Sequence, residues 1–350
     1  MIAAVLEEIK KPLIIHHLEI PNLDYGQILV ELKFSGICGR QIQEIDGEKG
    51  EDKFLPHLLG HEGGGVVKKI GSGVSKCKIG DHVVLHWRQS RGIESKFPNY
   101  KSLKKKDYIV GGGLVTTFND HAIVSENRVT VVPKSISFKL CALLGCSLTT
   151  ALGLVNNEAK IKIGQSVLIF GSGSVGLSLV QACNMVSAYP IATVDVKKEK
   201  LNFAIKIGAS HVLDYKQIKE NLFKEKVKKI FGSRGPDIII DTVGNPEIIN
   251  ISYSILSNNG KLIMVGQPKA GKDIILKNAS NNFYGKSIFD SQGGKTEPDV
   301  DIQRYVRIID SGKYNFEKIV TNIIKLKDIN FAINDIKEGK TLGKTLIKFI

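Results

Sequence analysis

The sequence predicts an α/β chain of two domains, a mainly-β domain and a doubly wound parallel sheet. Three observations carry this prediction. Up to about Pro133 the chain reads as short β-type runs broken by turns. From Gln165 onward apolar strands alternate with amphipathic helices. A glycine-rich turn of the form G-x-G-x-x-G joins the first of those strands to the helix after it. At 350 residues the chain is long enough for each domain to bury a core of its own.

Taken in order, "GQILVELKF", "GGGVVKKIG", "DHVVLHW" and "FNDHAIVSENRVTVVP" supply the β runs of the first part. Around Ser137 the apolar spacing becomes helical, in "SFKLCALLGCSLTTALGLV". There follow the strand "SVLIF", a helix from Val175, the strand "IATVDV", a helix from Lys198, the strand "DIIIDTVG", a helix around Pro246 and the strand "KLIMVG". Strands that are apolar throughout belong to a parallel sheet covered on both faces. The tail after about Ile288 is mixed and ends in the strand "KTLIKFI", which is expected to return to the first domain. The expected division is therefore 1–147 with 289–350 for the first domain and 148–288 for the second.

Composition narrows the function classes. A hydrophobic content of 42% with ten prolines and no long polar tract is that of an ordinary globular chain. The net charge of +14 comes from scattered lysines without an aromatic-studded basic strip, so no nucleic-acid partner is expected. "KSLKKKDY" reads as a solvated loop. No stretch reaches the roughly 18 apolar residues of a spanning helix, and the N-terminus lacks a basic segment followed by an apolar core. A cytoplasmic location and no membrane partner are the expectation. Five cysteines, an odd number, argue for reduced thiols.

In "SVLIFGSGSVGLSLVQ", Gly171 permits a tight turn, Gly173 lets the backbone approach a pyrophosphate, and Gly176 lets helix and strand pack closely. The helix start presents unpaired N–H groups to phosphates. Asp195 lies nineteen residues beyond Gly176, at the end of the next strand. There it can accept from ribose hydroxyls and repel a 2′-phosphate, which favours NAD over NADP; Lys197 and Lys198 weaken that preference.

A second pattern involves three distant segments: "SGICGRQ" with Cys38, "LLGHEGG" with His61, and "LLGCSLTT" with Cys146. Beside His61, Glu62 sits between an apolar run and three glycines, where a carboxylate either faces water or has a strongly positive group to compensate it. The order G-x-C, G-H-E, G-C-S and then G-x-G-x-x-G resembles the zinc-dependent alcohol dehydrogenases of the medium-chain dehydrogenase/reductase superfamily, over nearly the whole chain. The resemblance implies a GroES-like catalytic domain and a Rossmann NAD-binding domain. It implies that Cys38, His61 and Cys146 bind one catalytic zinc with an open fourth position. Glu62 would sit behind the metal as a transient ligand, its charge offset by the cation. Ser174, Val175, Lys200, Val243 and Val265 would line the cofactor, and Lys344 would contact a cofactor phosphate. Trp87 aligns with a position that lines the substrate pocket, or is a core residue at a strand end; His86 and Phe118 are weaker pocket candidates. His57 fits a strand better than a site. No cysteine lies between Cys77 and Cys141, so the four-cysteine structural zinc of many relatives is absent. Cys141 and Cys183 read as packing.

The run Cys38-Gly39-Arg40-Gln41-Ile42-Gln43 departs from the family, which carries a Ser or Thr at Arg40, an acidic residue at Gln41 and often a His at Gln43. Neither Arg nor Gln titrates usefully near neutrality, so the usual proton relay is in doubt. Arg40 either pairs with an anionic group of the substrate or NAD, or pairs with a nearby carboxylate and shapes the loop. The resemblance implies a zinc- and NAD-dependent oxidoreductase that interconverts a secondary or polyol/sugar-type alcohol and its carbonyl, as a homodimer or homotetramer. The alternatives are a zinc-free quinone or enoyl-type reductase of the same superfamily and a non-catalytic NAD(H)-binding sensor.

Overall fold

In the strand Gln27–Gly36, Ile28, Val30 and Leu32 face one core and Leu29 faces another, the period-two alternation of a strand buried on both sides. The same alternation divides Ile2–Leu6: Ala4 and Leu6 join the first core, Ala3 and Val5 the second. The computed structural model describes all residues except Ala279, Asn281, Asn282 and Ile350. They form two units, Met1–Thr149 with Glu297–Ile350, and Thr150–Thr296.

The first unit is built on Gln27–Gly36, which pairs antiparallel with Glu62–Ile70, His121–Ser125 and Lys344–Lys348. His82–His86 and then Val129–Val132 extend the sheet on one side; Val320–Ile324 extends it on the other, parallel to Lys344–Lys348. The chain's last strand thus does return to the first unit. A five-stranded sheet, in the order Ile14–His17, Ile2–Leu6, His57–Leu58, Ile109–Gly111, Asn99–Lys101, completes it. The stretch before these last strands is tied down by carboxylates. Glu126, only 2% exposed, accepts from the backbone N–H groups of Ile93 (2.9 Å), Ser75 (3.0 Å) and Lys76 (3.3 Å). Glu94 accepts from Asn127 at 2.9 Å and from Arg128 at 2.8 Å.

The second unit is a six-stranded sheet, parallel throughout, in the order His211–Asp214, Ile191–Asp195, Val167–Phe170, Ile238–Asp241, Lys261–Met264, Ser287–Asp290. Helices Ser174–Met185, Lys198–Ile207, Glu220–Phe231 and Pro246–Ile255 connect successive strands. In sequence order the strands run 3-2-1-4-5-6, the doubly wound arrangement whose order reverses between Val167–Phe170 and Ile238–Asp241. Ser287–Asp290 pairs with Lys261–Met264 as an edge strand, and Asn157 Nδ2 donates at 3.3 Å to the carbonyls of both Gly294 and Lys295. These contacts keep residues up to Thr296 in the second unit, so the first resumes at Glu297 rather than at 289. No single helix among the described residues is long and apolar enough to cross a membrane.

Candidate active site

Close backbone packing assembles the first site. Cys38 leaves the end of Gln27–Gly36 and caps the short helix Gly39–Ile45, while His61 immediately precedes Glu62–Ile70. Cys146 lies between the helices Phe138–Leu144 and Ser147–Gly153. The glycines that follow Glu62 let the Phe138–Leu144 helix come this near: a Cβ on Gly64 would stand 2.4 Å from Cys141 Cβ and 2.7 Å from Phe138 O. On the other side, a Cβ on Gly145 would lie 2.5 Å from Leu85 O and 2.7 Å from Glu62 Cα.

The ligand atoms of Cys38, His61, Glu62 and Cys146 consequently lie within 4.8 Å of one another. Nε2 of His61 is buried without a hydrogen-bond partner, and its Nδ1 meets the Gln41 amide. Two sulfurs and an unpartnered imidazole nitrogen are a donor set suited to zinc, whose bonds of roughly 2.0–2.3 Å small side-chain movements can complete. A hydrogen bond from the Cys146 thiol holds Cys38 well below the ordinary thiol range against burial, with His61 and Lys344 helping. That bond to Cys38, together with burial, raises Cys146 well above it.

The positive group beside Glu62 is Lys344. Its Nζ donates to Glu62 Oε1, with Lys344 1% and Glu62 0% exposed. Lys344, expected to contact a cofactor phosphate, thus has its ammonium on this carboxylate. It also means that a metal ion is not the sole source of compensation for Glu62. Burial pushes the Glu62 carboxyl upward and the Lys344 ammonium opposes part of that rise. For Lys344, burial is outweighed by Glu62 and the two cysteines, which hold its pKa above the usual range. A Cβ on Gly36 would lie 2.7 Å from both Glu62 Cδ and Lys344 Cε, so glycine there is what admits the pair.

Other expected site residues fall as follows. Arg40 Nη1 donates to Gln43 Oε1 at 3.0 Å. Trp87 is partly buried under the Arg88 guanidinium, 5.6 Å from the ring centre. The two weaker pocket candidates are buried. His86 bonds Arg88 O at 2.7 Å and Thr130 Oγ1 at 3.0 Å, and burial lowers its pKa to about 4. Phe118 belongs to the core. Cys141 and Cys183 are fully buried thiols pushed up to about 12 by that burial, consistent with packing.

In the second unit, Gly171 adopts a φ of +93° after the strand Val167–Phe170, and a Cβ on Gly176 would stand 1.9 Å from Gly171 O, which demands glycine. Gly173 has open space where its Cβ would be, at the start of Ser174–Met185. The hydroxyls of Ser172 and Ser174 on either side are buried without partners. Val175 lies in the first turn of that helix and Lys200 in the first turn of Lys198–Ile207. Asp195 accepts from Ser172 N at 2.8 Å, Val196 N at 2.8 Å and Lys197 N at 3.0 Å, so its carboxylate also braces the glycine turn. Across the point where strand order reverses, Asp241 accepts from the N–H groups of Val243 (3.0 Å) and Gly244 (2.9 Å), and its backbone carbonyl from Val265 (2.8 Å). Val243 is left 47% exposed beyond the strand end. Asp241, raised to about 6 by burial, is a positioning group that the sequence pattern did not single out.

Residues 24–134 match the family described as alcohol dehydrogenase GroES-like domain, and residues 174–310 match the zinc-binding dehydrogenase family. The chain belongs to the zinc-type medium-chain dehydrogenase/reductase family. This dehydrogenase is 26% identical to an S-(hydroxymethyl)glutathione dehydrogenase of Synechocystis sp. over 98% of both chains. It is likewise 26% identical to alcohol dehydrogenase 6 of Peromyscus maniculatus, over 99% of this chain and 97% of that one. The crystal structure of benzyl alcohol dehydrogenase from Acinetobacter calcoaceticus shares 27% identity with a TM-score of 0.88, covering 100% of this chain and 99% of the other. The dehydrogenase is thus an oxidoreductase of the alcohol/carbonyl class, acting on small molecules.

Proposed function

We propose that the dehydrogenase is a zinc- and NAD-dependent enzyme that interconverts a secondary or polyol/sugar-type alcohol, one carrying an anionic group, and its carbonyl. The observation that supports this most is the convergence of Cys38, Cys146 and the unpartnered His61 Nε2 within 4.8 Å. These three residues would hold the ion, which when bound supplies Lewis-acid polarisation of the substrate oxygen. Lys344 keeps the Glu62 carboxylate in place beside them. Ser172, Gly173 and Ser174 offer backbone and hydroxyl donors to a pyrophosphate, and Asp195 accepts from a ribose and disfavours a 2′-phosphate.

Arg40 supports the anionic part of the reading. Its hydrogen-bond partner is the neutral Gln43, and among the described residues no carboxylate forms an ion pair with it. A guanidinium kept charged two residues from Cys38 suits a carboxylate or phosphate of the substrate. Neither Arg40 nor Gln43 can accept the alcohol proton near neutrality, so the route of that proton differs from a hydroxyl–imidazole relay. The test combines zinc analysis of the purified enzyme with NADH formation from a panel of polyols, sugar acids and polyol phosphates. Zinc bound at one ion per chain, turnover with NAD and a preference for anionic members are expected. A zinc-supplemented enzyme that stays metal-free, or one that binds NADH without ever reducing NAD, would overturn the proposal. If Arg40→Ser leaves substrate and NAD affinity unchanged, the anionic part falls alone.

A further inference from the structure

We propose that Asp241 is a positioning residue for NAD: its ionised carboxylate sets the turn at residues 242–244 against the glycine turn at Gly171, and this makes cofactor affinity depend on pH. The inference rests on the NAD reading above. Asp241 ends the strand Ile238–Asp241 at 0% exposure. Each of its oxygens accepts from a different backbone N–H, Oδ1 from Val243 at 3.0 Å and Oδ2 from Gly244 at 2.9 Å. Thr242 ties the same turn to its neighbour, donating to Phe170 O from its backbone N at 3.0 Å and from its hydroxyl at 2.7 Å. The turns touch on both sides. A Cβ on Gly171 would lie 2.4 Å from Thr242 Oγ1 and 3.1 Å from Val243 Cγ2, and one on Gly266 would lie 2.3 Å from Gly244 N. The grip of the carboxylate therefore fixes where Val243, 47% exposed, stands beside the glycine that opens the phosphate cradle. Both oxygens face N–H donors, so a proton on either one sets hydrogen against hydrogen and releases that N–H. Burial raises this carboxyl to about 6, with the two backbone bonds opposing the rise. The groups around it leave that balance alone. Opposite it in the flanking strands stand Phe170 and Met264, and the turns at 171–173 and 265–267 carry no titratable side chain. Asp195 meets the glycine turn at Ser172 N, at 2.8 Å, and the helix Pro246–Ile255 brings Glu247 in its first turn.

The experiment titrates NADH into full-length enzyme between about pH 8 and pH 5, reading NADH fluorescence, with circular dichroism at each pH to show that the chain stays folded. For the unaltered enzyme the dissociation constant is expected to be level above pH 7 and to rise about 10-fold by pH 5, one unit below the pKa of the carboxyl. Asp241→Asn is nearly the same size but turns an NH2 toward one of the two N–H groups at every pH. It is expected to bind NADH about 10-fold more weakly at pH 8 and to lose the rise in acid. Thr242→Val removes the hydroxyl tie and leaves the carboxylate, so weaker binding with the rise intact is expected. A level profile for the unaltered enzyme overturns the inference whether or not any variant folds, and so does a rise that persists in folded Asp241→Asn. If the unaltered enzyme binds no NADH at pH 8, the NAD reading fails and the inference with it; if it binds NADH with a level profile, only the role of Asp241 fails.

Discussion

Replacing Lys344 by methionine would remove the ammonium from a carboxylate that is itself 0% exposed, in a space so tight that Gly36 has no room for a Cβ. Losing one partner of a buried ion pair leaves the other charge uncompensated, at about 3–5 kcal/mol. Removing both charges while conserving shape costs far less, because neither desolvated ion remains. Lys344→Met should therefore destabilise the first unit by about 3–5 kcal/mol, and Glu62→Gln/Lys344→Met should lie within about 1 kcal/mol of the unaltered enzyme. Trp87 is the chain's single tryptophan and belongs to that unit, so its fluorescence during urea unfolding reads the right transition. With a slope near 3 kcal/mol per molar urea, the midpoint of the single variant falls by about 1–2 M. Chelator is included throughout, so that no cation substitutes for the lost ammonium. A single variant within about 1 kcal/mol of the unaltered enzyme, or a double variant as unstable as the single, would refute the reasoning.

His86 is buried neutral, with its pKa lowered from 6.5 to about 4 by burial. A depressed pKa contributes stability above the unfolded value that is lost as pH falls through the folded one. The first unit should lose about 3 kcal/mol between pH 6.5 and 4 on this account, and His86→Gln should flatten that part of the urea-midpoint profile. An unchanged profile would show that other groups dominate the acid limb. Asp195→Gly should weaken NAD by about 10–100-fold, the worth of hydrogen bonds to a charged acceptor, while NADP gains relative to NAD. The ratio of kcat/KM for the two cofactors checks this, and an unchanged ratio would remove Asp195 from the ribose site. Glu126→Ala leaves three backbone N–H groups without their carboxylate, and about 1–3 kcal/mol of stability should be lost, with faster proteolysis near Ile93. Equal cleavage rates would argue that water replaces the carboxylate at no cost.

What the sequence makes legible here is whatever local rules encode. A short β-type run marked Gln27–Gly36, continuous apolar runs marked the parallel strands, and the glycines around Gly171–Gly176 announced a turn whose φ and close approach do demand glycine. The three residues Cys38, His61 and Cys146 could be linked only through resemblance, because nothing in any one segment specifies the other two. The edge strand Ser287–Asp290 escaped because four residues of mixed character become a strand only through pairing with Lys261–Met264. The charge balance at the site was less legible still. Lys344 lies 282 residues from Glu62, and in "TLGKTLIKF" it is one lysine of two, with no local mark of which points inward. The choice is made by the sheet: Leu346 pairs with Gly36, the residue whose missing side chain admits both Glu62 Cδ and Lys344 Cε. A glycine at the end of one strand thus decides that a lysine near the end of the chain becomes the counter-charge of a carboxylate beside His61. The side-chain identities were readable, but their pairing is a property of strand register, which depends on contacts between distant segments.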